Sequence, residues 1–160
     1  MSGDAWLTGP ADRASCARRG YNGGHAAMSI SSATFDELKR RAREAAAHAY
    51  SPYSGYPVGA AVLCGEAIYS GSNVENASYG LSMCAERNAV FHAIASGERA
   101  VDAVALYTPT RGAATPCGAC LQVIAEFGPD AVVICCAADS GAERRYALKE
   151  LLPAAFRLQK

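Results

Sequence analysis

Neither sign of charge dominates this chain of 160 residues: 15 lysines and arginines stand against 15 acidic residues, for a formal net charge of zero. Apart from a short basic run at 39–43, which reads as a solvated helix face, no cationic block is present. A nucleic-acid partner, which needs a basic footprint, is therefore not expected. No apolar run approaches the ~18 residues of a membrane span, so no membrane partner is expected either. The first thirty residues carry no hydrophobic signal core. Export is thus not expected, and a reducing, cytoplasmic setting is. Histidine is scarce: His25 lies in an irregular N-terminal stretch, and His48 and His92 fall in helical runs without ligand-like neighbours.

Cysteine is not scarce. The seven are Cys16, Cys64, Cys84, Cys117, Cys120, Cys135 and Cys136. An odd number in a reducing compartment argues for free thiols or metal ligation over a disulfide framework. Cys64, Cys135 and Cys136 sit in apolar runs and read as core. Cys117 and Cys120, in "TPCGAC", form the one Cys-x-x-Cys of the chain. That pair can be half a metal site, a redox dithiol or two buried thiols.

Half of the residues are apolar, and the length suits one domain with a substantial core. Residues 1–27 hold five glycines and no periodicity, so they read as a flexible tail, and translation is expected to start at Met28. The domain is expected over 28–160. Thr34 followed by Glu37 gives a capping box, and the Ala/Arg-rich run to residue 50 a helix. Residues 58–63 and 67–74 flank a Cys64-Gly65-Glu66 turn and read as a hairpin. A helix is expected over 84–96, ending at Gly97, and a strand buried on both faces over 101–108. Thr115 fits a helix N-cap, Pro116 the first helical position, and Gly128-Pro129 the stop. Strands at 131–136 and near 144–148, then a helical turn at 149–152, complete the order. A hairpin followed by strands alternating with helices predicts an α/β fold: a five-stranded mixed sheet inside a three-layer α-β-α sandwich.

This reading puts Cys117 and Cys120 in the first turn of one helix and Cys84 at the start of another. Helix N-termini favour thiolate over thiol. Three thiolates bind Zn²⁺ and leave a fourth position open, which marks a catalytic site over a structural one. Glu86, two residues beyond Cys84, can stand beside the ion without ligating it and move protons between water and a substrate nitrogen. "CAE" at 84–86 with "PCGAC" at 116–120 matches the signature of zinc deaminases.

Over 35–156 the chain resembles the cytidine deaminases of the small, single-domain, all-cysteine type. The resemblance rests on "PYSGYPVGAAVL" (52–63), "GSNVENASYG" (71–80), "CAERNAV" (84–90), "PCGACLQV" (116–123) and "ELLPAAF" (150–156). It implies zinc held by Cys84, Cys117 and Cys120, with Glu86 as proton shuttle in the hydrolysis of cytidine and 2′-deoxycytidine to the uridines. It implies further that Asn73 and Glu75 hold the ribose 3′-hydroxyl, and that Tyr56, at a position usually Phe, packs on the pyrimidine. The Ala85 N–H would bind the base carbonyl, and the Thr115 carbonyl the departing amine. Phe156 would reach the pyrimidine of a neighbouring subunit, and Tyr79 an intersubunit contact, in a homotetramer with shared active sites.

One departure stands out: Leu121 occupies the place where such proteins often carry arginine. Arg87 is then the residue left to offset the charge of three thiolates. Two rivals compete with cytidine. One is a related aminopyrimidine nucleoside, such as blasticidin S or a modified cytosine. The other is a structural zinc module, which would need a fourth Cys or His that does not follow at suitable spacing.

Overall fold

The computed structural model describes residues 30–138 and 142–158. The expectations for the tail at 1–27, with Cys16 and His25, and for a start at Met28 lie outside the described residues. Strand alternation builds the rest. In β1 (Gly59–Cys64) Ala60, Val62 and Cys64 face one apolar cluster, while Ala61 and Leu63 face a second. The same division runs through β3 (Ala103–Thr108) and β4 (Val132–Ala137), with Val104, Leu106, Val133 and Cys135 on the first side and Ala105, Tyr107 and Ile134 on the other. Period-two alternation with both sides apolar is what a central strand requires.

β2 (Ala67–Ser72) and β5 (Glu143–Ala147) form the edges, giving the order β2-β1-β3-β4-β5. β3 and β4 run parallel and every other neighbouring pair antiparallel. Helix α1 (Ser32–Ala46) covers one face through Phe35, Leu38, Ala42 and Ala46. Helices α2 (Ala85–Ala95) and α3 (Gly118–Phe127) cover the other through Ala85, Ala89, Val90, Ala93, Leu121 and Ile124. A short α4 (Leu148–Leu151) follows β5. The expected three-layer sandwich on a mixed five-stranded sheet is what forms.

Two glycines set how closely the helices approach. A Cβ on Gly59 would lie 2.0 Å from the Ala42 carbonyl oxygen of α1. One on Gly71 would lie 2.4 Å from the Ala89 nitrogen and 2.8 Å from the Ala85 oxygen of α2. Neither position has room for a side chain, so backbone rests on backbone.

Both expected caps at Thr residues move. Helix α1 begins three residues earlier: Ser31 is the N-cap, and its hydroxyl accepts from the Thr34 N–H at 3.1 Å. Glu37 does not reach back to complete a box but pairs with Arg40. Helix α3 begins two residues later than Thr115 implies, with Cys117 as N-cap. Pro116 is buried ahead of the helix instead of opening it.

Candidate metal and proton-transfer site

Cys84 and Cys117 are the N-caps of α2 and α3, both with extended backbone and neither making a side-chain capping bond. An N-cap normally offers its side chain to the amide of the second or third helical residue. Here the sulfurs point elsewhere, while the cap carbonyls still accept the first helical bonds, from Asn88 at 3.2 Å and Leu121 at 2.9 Å. Residue three of a helix lies beside its N-cap, the adjacency that capping boxes use. In α3 that residue is Cys120, and the Cys117 and Cys120 Sγ atoms stand 3.5 Å apart. In α2 it is Arg87, whose guanidinium donates to the Cys84 Sγ at 3.4 Å.

Cys84, Cys117 and Cys120 bring their sulfurs within 4.8 Å of one another. Four-coordinate zinc with Zn–S bonds of about 2.3 Å spaces its sulfurs roughly 3.8 Å apart. The donor set therefore fits zinc in number, softness and separation. Cys120 is buried, Cys84 half-buried and Cys117 exposed, so the cluster opens on one side.

Glu86 is 4% exposed, one of two buried polar or charged residues among those described. Burial raises its carboxyl pKa to about 7, helped by the charge of Cys84 and opposed by its own amide, the Cys120 thiol and Arg87. The Cys120 thiol donating to it, with Arg87 beside it, draws the Cys84 thiol down to about 5. That same bond and burial push the Cys120 thiol up. Arg87 also keeps a buried Nε without a partner. Leu121 packs into the apolar cluster at 6% exposed.

Val74 exchanges two backbone bonds with Met83 at 2.9 Å, which ties the end of β2 to the residue before Cys84. Its neighbours Asn73 and Glu75 both fasten the 53–58 loop. Asn73 Oδ1 accepts from the Val58 N–H at 2.8 Å, and its Nδ2 donates to the Tyr56 carbonyl at 2.9 Å. Glu75 accepts from the Tyr53 and Ser54 amides at 2.8 and 3.2 Å and from the Ser54 hydroxyl. These bonds, that of Ser54 foremost, hold its carboxyl below the usual range. Ala85 is the first residue of α2, so its N–H has no acceptor within the helix. Thr115 is exposed in the loop before Cys117. Tyr56, Tyr79 and Phe156 are all exposed, and Tyr79 meets Tyr53 edge-on at 5.7 Å.

Two residues escaped the sequence reading. Ser54 braces Glu75, and Gln122 grips the backbone of Phe156 through both ends of its carboxamide. Gln122 lies two residues beyond Cys120 inside a quoted motif, so its place was visible although its partner was not. Among the described residues, no helix is long and apolar enough to cross a membrane.

Comparison with known proteins agrees with this geometry. Residues 33–136 match the family described as the cytidine and deoxycytidylate deaminase zinc-binding region. A cytidine deaminase of Sporosarcina psychrophila is 41% identical over 122 residues, covering 76% of this chain and 90% of that one. One of Halalkalibacterium halodurans is 43% identical over 120 residues, covering 74% and 91%. The crystal structure of cytidine deaminase from Burkholderia pseudomallei superimposes with a TM-score of 0.72 at 43% identity, over 76% of this chain and 98% of the other.

Proposed function

Because this chain belongs to the cytidine and deoxycytidylate deaminase family, we propose that it hydrolyses cytidine and 2′-deoxycytidine to uridine and 2′-deoxyuridine, releasing ammonia. The observation that carries the proposal is the buried Glu86 carboxyl set beside three sulfurs that lie within 4.8 Å of one another.

Cys84, Cys117 and Cys120 would hold a zinc ion. When bound, zinc supplies Lewis acidity and brings the pKa of water towards ~7. Glu86 takes a proton from the attacking water and places it on ring N3, which makes C4 electrophilic. After oxygen adds at C4, Glu86 relays a second proton to the amino group, which leaves as ammonia. A carboxyl removed from solvent exchanges protons in both directions near neutral pH more readily than an exposed one. Arg87 offsets the sulfur charge, and with Leu121 in the core it bears that role without a second arginine.

Asn73 and Glu75 hold the ribose 3′-hydroxyl. Their hydrogen-bonding capacity supports this: after serving the loop, Asn73 keeps one Nδ2–H to donate and Glu75 keeps a lone pair to accept. The Ala85 N–H binds the base carbonyl and the Thr115 carbonyl the leaving amine. Tyr56 packs on the pyrimidine. Phe156 and Tyr79 act between subunits of a homotetramer that shares its active sites, which agrees with their exposure of 71% and 74%. The cytoplasm is the proposed setting, in keeping with six free cysteines among the described residues.

The test is ammonia release from cytidine, 2′-deoxycytidine, cytosine and blasticidin S on a sample whose zinc content is measured. Turnover of the two cytidine nucleosides alone is expected. Glu86→Gln should keep its zinc and lose about 10³-fold or more in kcat. Turnover of blasticidin S alone, or a Glu86→Gln protein of full activity, would overturn the reading.

A further inference from the structure

We propose that Gln122 is the positioning residue that presents the Phe156 ring to the site of a second copy of this chain. The inference rests on the reading of Phe156 as a substrate contact. The Gln122 Nε2–H donates to the Phe156 carbonyl at 2.9 Å, and the Phe156 N–H donates to Gln122 Oε1 at 3.0 Å. A carboxamide can meet both the donor and the acceptor of one residue's backbone, so Gln122 replaces a strand partner for a segment that has none. Between Leu152, whose N–H bonds to the Leu148 carbonyl, and Phe156, no backbone–backbone hydrogen bond among the described residues fixes the path. The grip therefore sets where the ring stands, although the ring itself remains 71% exposed.

Direction follows from helix geometry. Gln122 lies two residues after Cys120 on α3, a rotation of about 200° about the axis. Cys120 is buried towards the sulfur cluster, so Gln122 faces the opposite flank. The Phe156 backbone is thus held on the flank of α3 opposite Cys120. A fixed aromatic with a bare ring suits a neighbour's pyrimidine, and immobilising the backbone beforehand lowers the ordering cost of the contact.

The experiment uses the zinc-loaded full chain and compares Gln122→Ala, Gln122→Glu, Phe156→Ala and the Gln122→Ala/Phe156→Ala double variant. Gln122→Ala and Phe156→Ala should each raise KM by about tenfold or more with zinc content unchanged, and the double variant should be no worse than Phe156→Ala alone. Gln122→Glu keeps the acceptor but loses the donor, and should fall between. Amide exchange at Phe156 should quicken in Gln122→Ala while exchange in α3 stays slow. Co-expression of Gln122→Ala with Glu86→Ala should regain activity, because the second chain supplies an intact arm to the first chain's site. A Gln122→Ala protein with unchanged KM beside an impaired Phe156→Ala overturns the proposal alone, as do multiplying losses, a defect traced to lost zinc, or no regain on co-expression. A harmless Phe156→Ala overturns the underlying reading and the proposal with it.

Discussion

Helix α1 begins on a serine that serves the helix, whereas α2 and α3 begin on cysteines that do not. Ser31 accepts from the Thr34 amide and also bonds the Thr34 hydroxyl at 2.9 Å, closing its first turn as an isolated helix would. Cys84 and Cys117 leave the same amides without a side-chain partner and turn their sulfurs toward one another's neighbourhood. The α1 face is also laced by ordinary contacts: Arg43 over the Tyr107 ring at 5.1 Å, Arg145 over Phe35 at 4.6 Å, and Lys39 to Glu143 at 2.9 Å. On the opposite face a carboxyl is buried, whereas an arginine Nε without a partner occurs on both, Arg41 on α1 and Arg87 on α2. One sheet therefore carries a face built for stability and a face whose helix starts are given over to chemistry. Local rules are commonly broken at functional sites and kept elsewhere.

The sharpest way to break this contrast is to give α3 the start that α1 has. In Cys117→Ser the hydroxyl can cap the helix, but the set of three soft donors is lost. Zinc should leave the purified protein and ammonia release from cytidine should fall to background, while chelator-treated variant should unfold about 1 kcal/mol later than chelator-treated parent. Zinc analysis and urea melts of both proteins check the two halves. A variant that binds zinc as the parent does, or that is less stable when metal-free, would remove the contrast.

Next in size is Gly71→Ala. The new methyl would stand 2.4 Å from the Ala89 nitrogen, so α2 must retreat from β2. A loss of about 3 kcal/mol is expected, with weakened zinc retention because α2 carries Cys84. Gly59→Ala makes the same intrusion under α1, at 2.0 Å from the Ala42 oxygen. It should cost similar stability, yet the folded fraction should keep its zinc. Equal zinc loss from both would mean that the two faces are not independent.

Much of this arrangement was legible in the residues. The apolar alternation of β1, β3 and β4 has few structural solutions, and the spacing of Cys84, Glu86, Cys117 and Cys120 placed sulfur and carboxyl at two helix starts. The caps themselves were misread for a physical reason. Thr-Pro is a strong local start signal, but capping at Thr115 would put Cys117 and Cys120 inside the helix. In the folded chain Cys117 is the N-cap and Cys120 the third helical residue, with their sulfurs 3.5 Å apart. The roles of Gln122 and Ser54 were not legible. The first contacts a residue 34 positions away and the second one 21 away, and only the folded chain sets those distances.

Ser31→Ala tests the conventional side of the comparison. It removes the hydroxyl from the Thr34 amide and should cost about 1 kcal/mol in urea unfolding. Zinc content and kcat should not change, since α1 touches neither the sulfurs nor Glu86. A fall in kcat with zinc retained would show that the face is not merely supportive.

The smallest effect expected is the pH dependence of the tie between α1 and β5. The Lys39 ammonium, with Arg145 assisting, holds the Glu143 carboxyl below the usual range, and Glu143 reciprocally raises Lys39. A carboxyl whose pKa is lowered by folding adds stability above its unfolded value, near 4.5, and loses it as pH falls through the lower folded value. Glu143→Gln should therefore be less stable than the parent at pH 7, by no more than about 1 kcal/mol because the pair lies near the surface. The difference should close as the pH falls through that lower folded value and should shrink in high salt. Lys39→Met should reduce the pH dependence of the parent in the same interval, since its ammonium is the larger influence on that carboxyl. A gap between Glu143→Gln and parent that persists unchanged into acid would mean that the glutamate acts through packing and not through charge. The α1 face would then owe less to ion pairs, and more to Phe35, Leu38 and Tyr107, than its contacts imply.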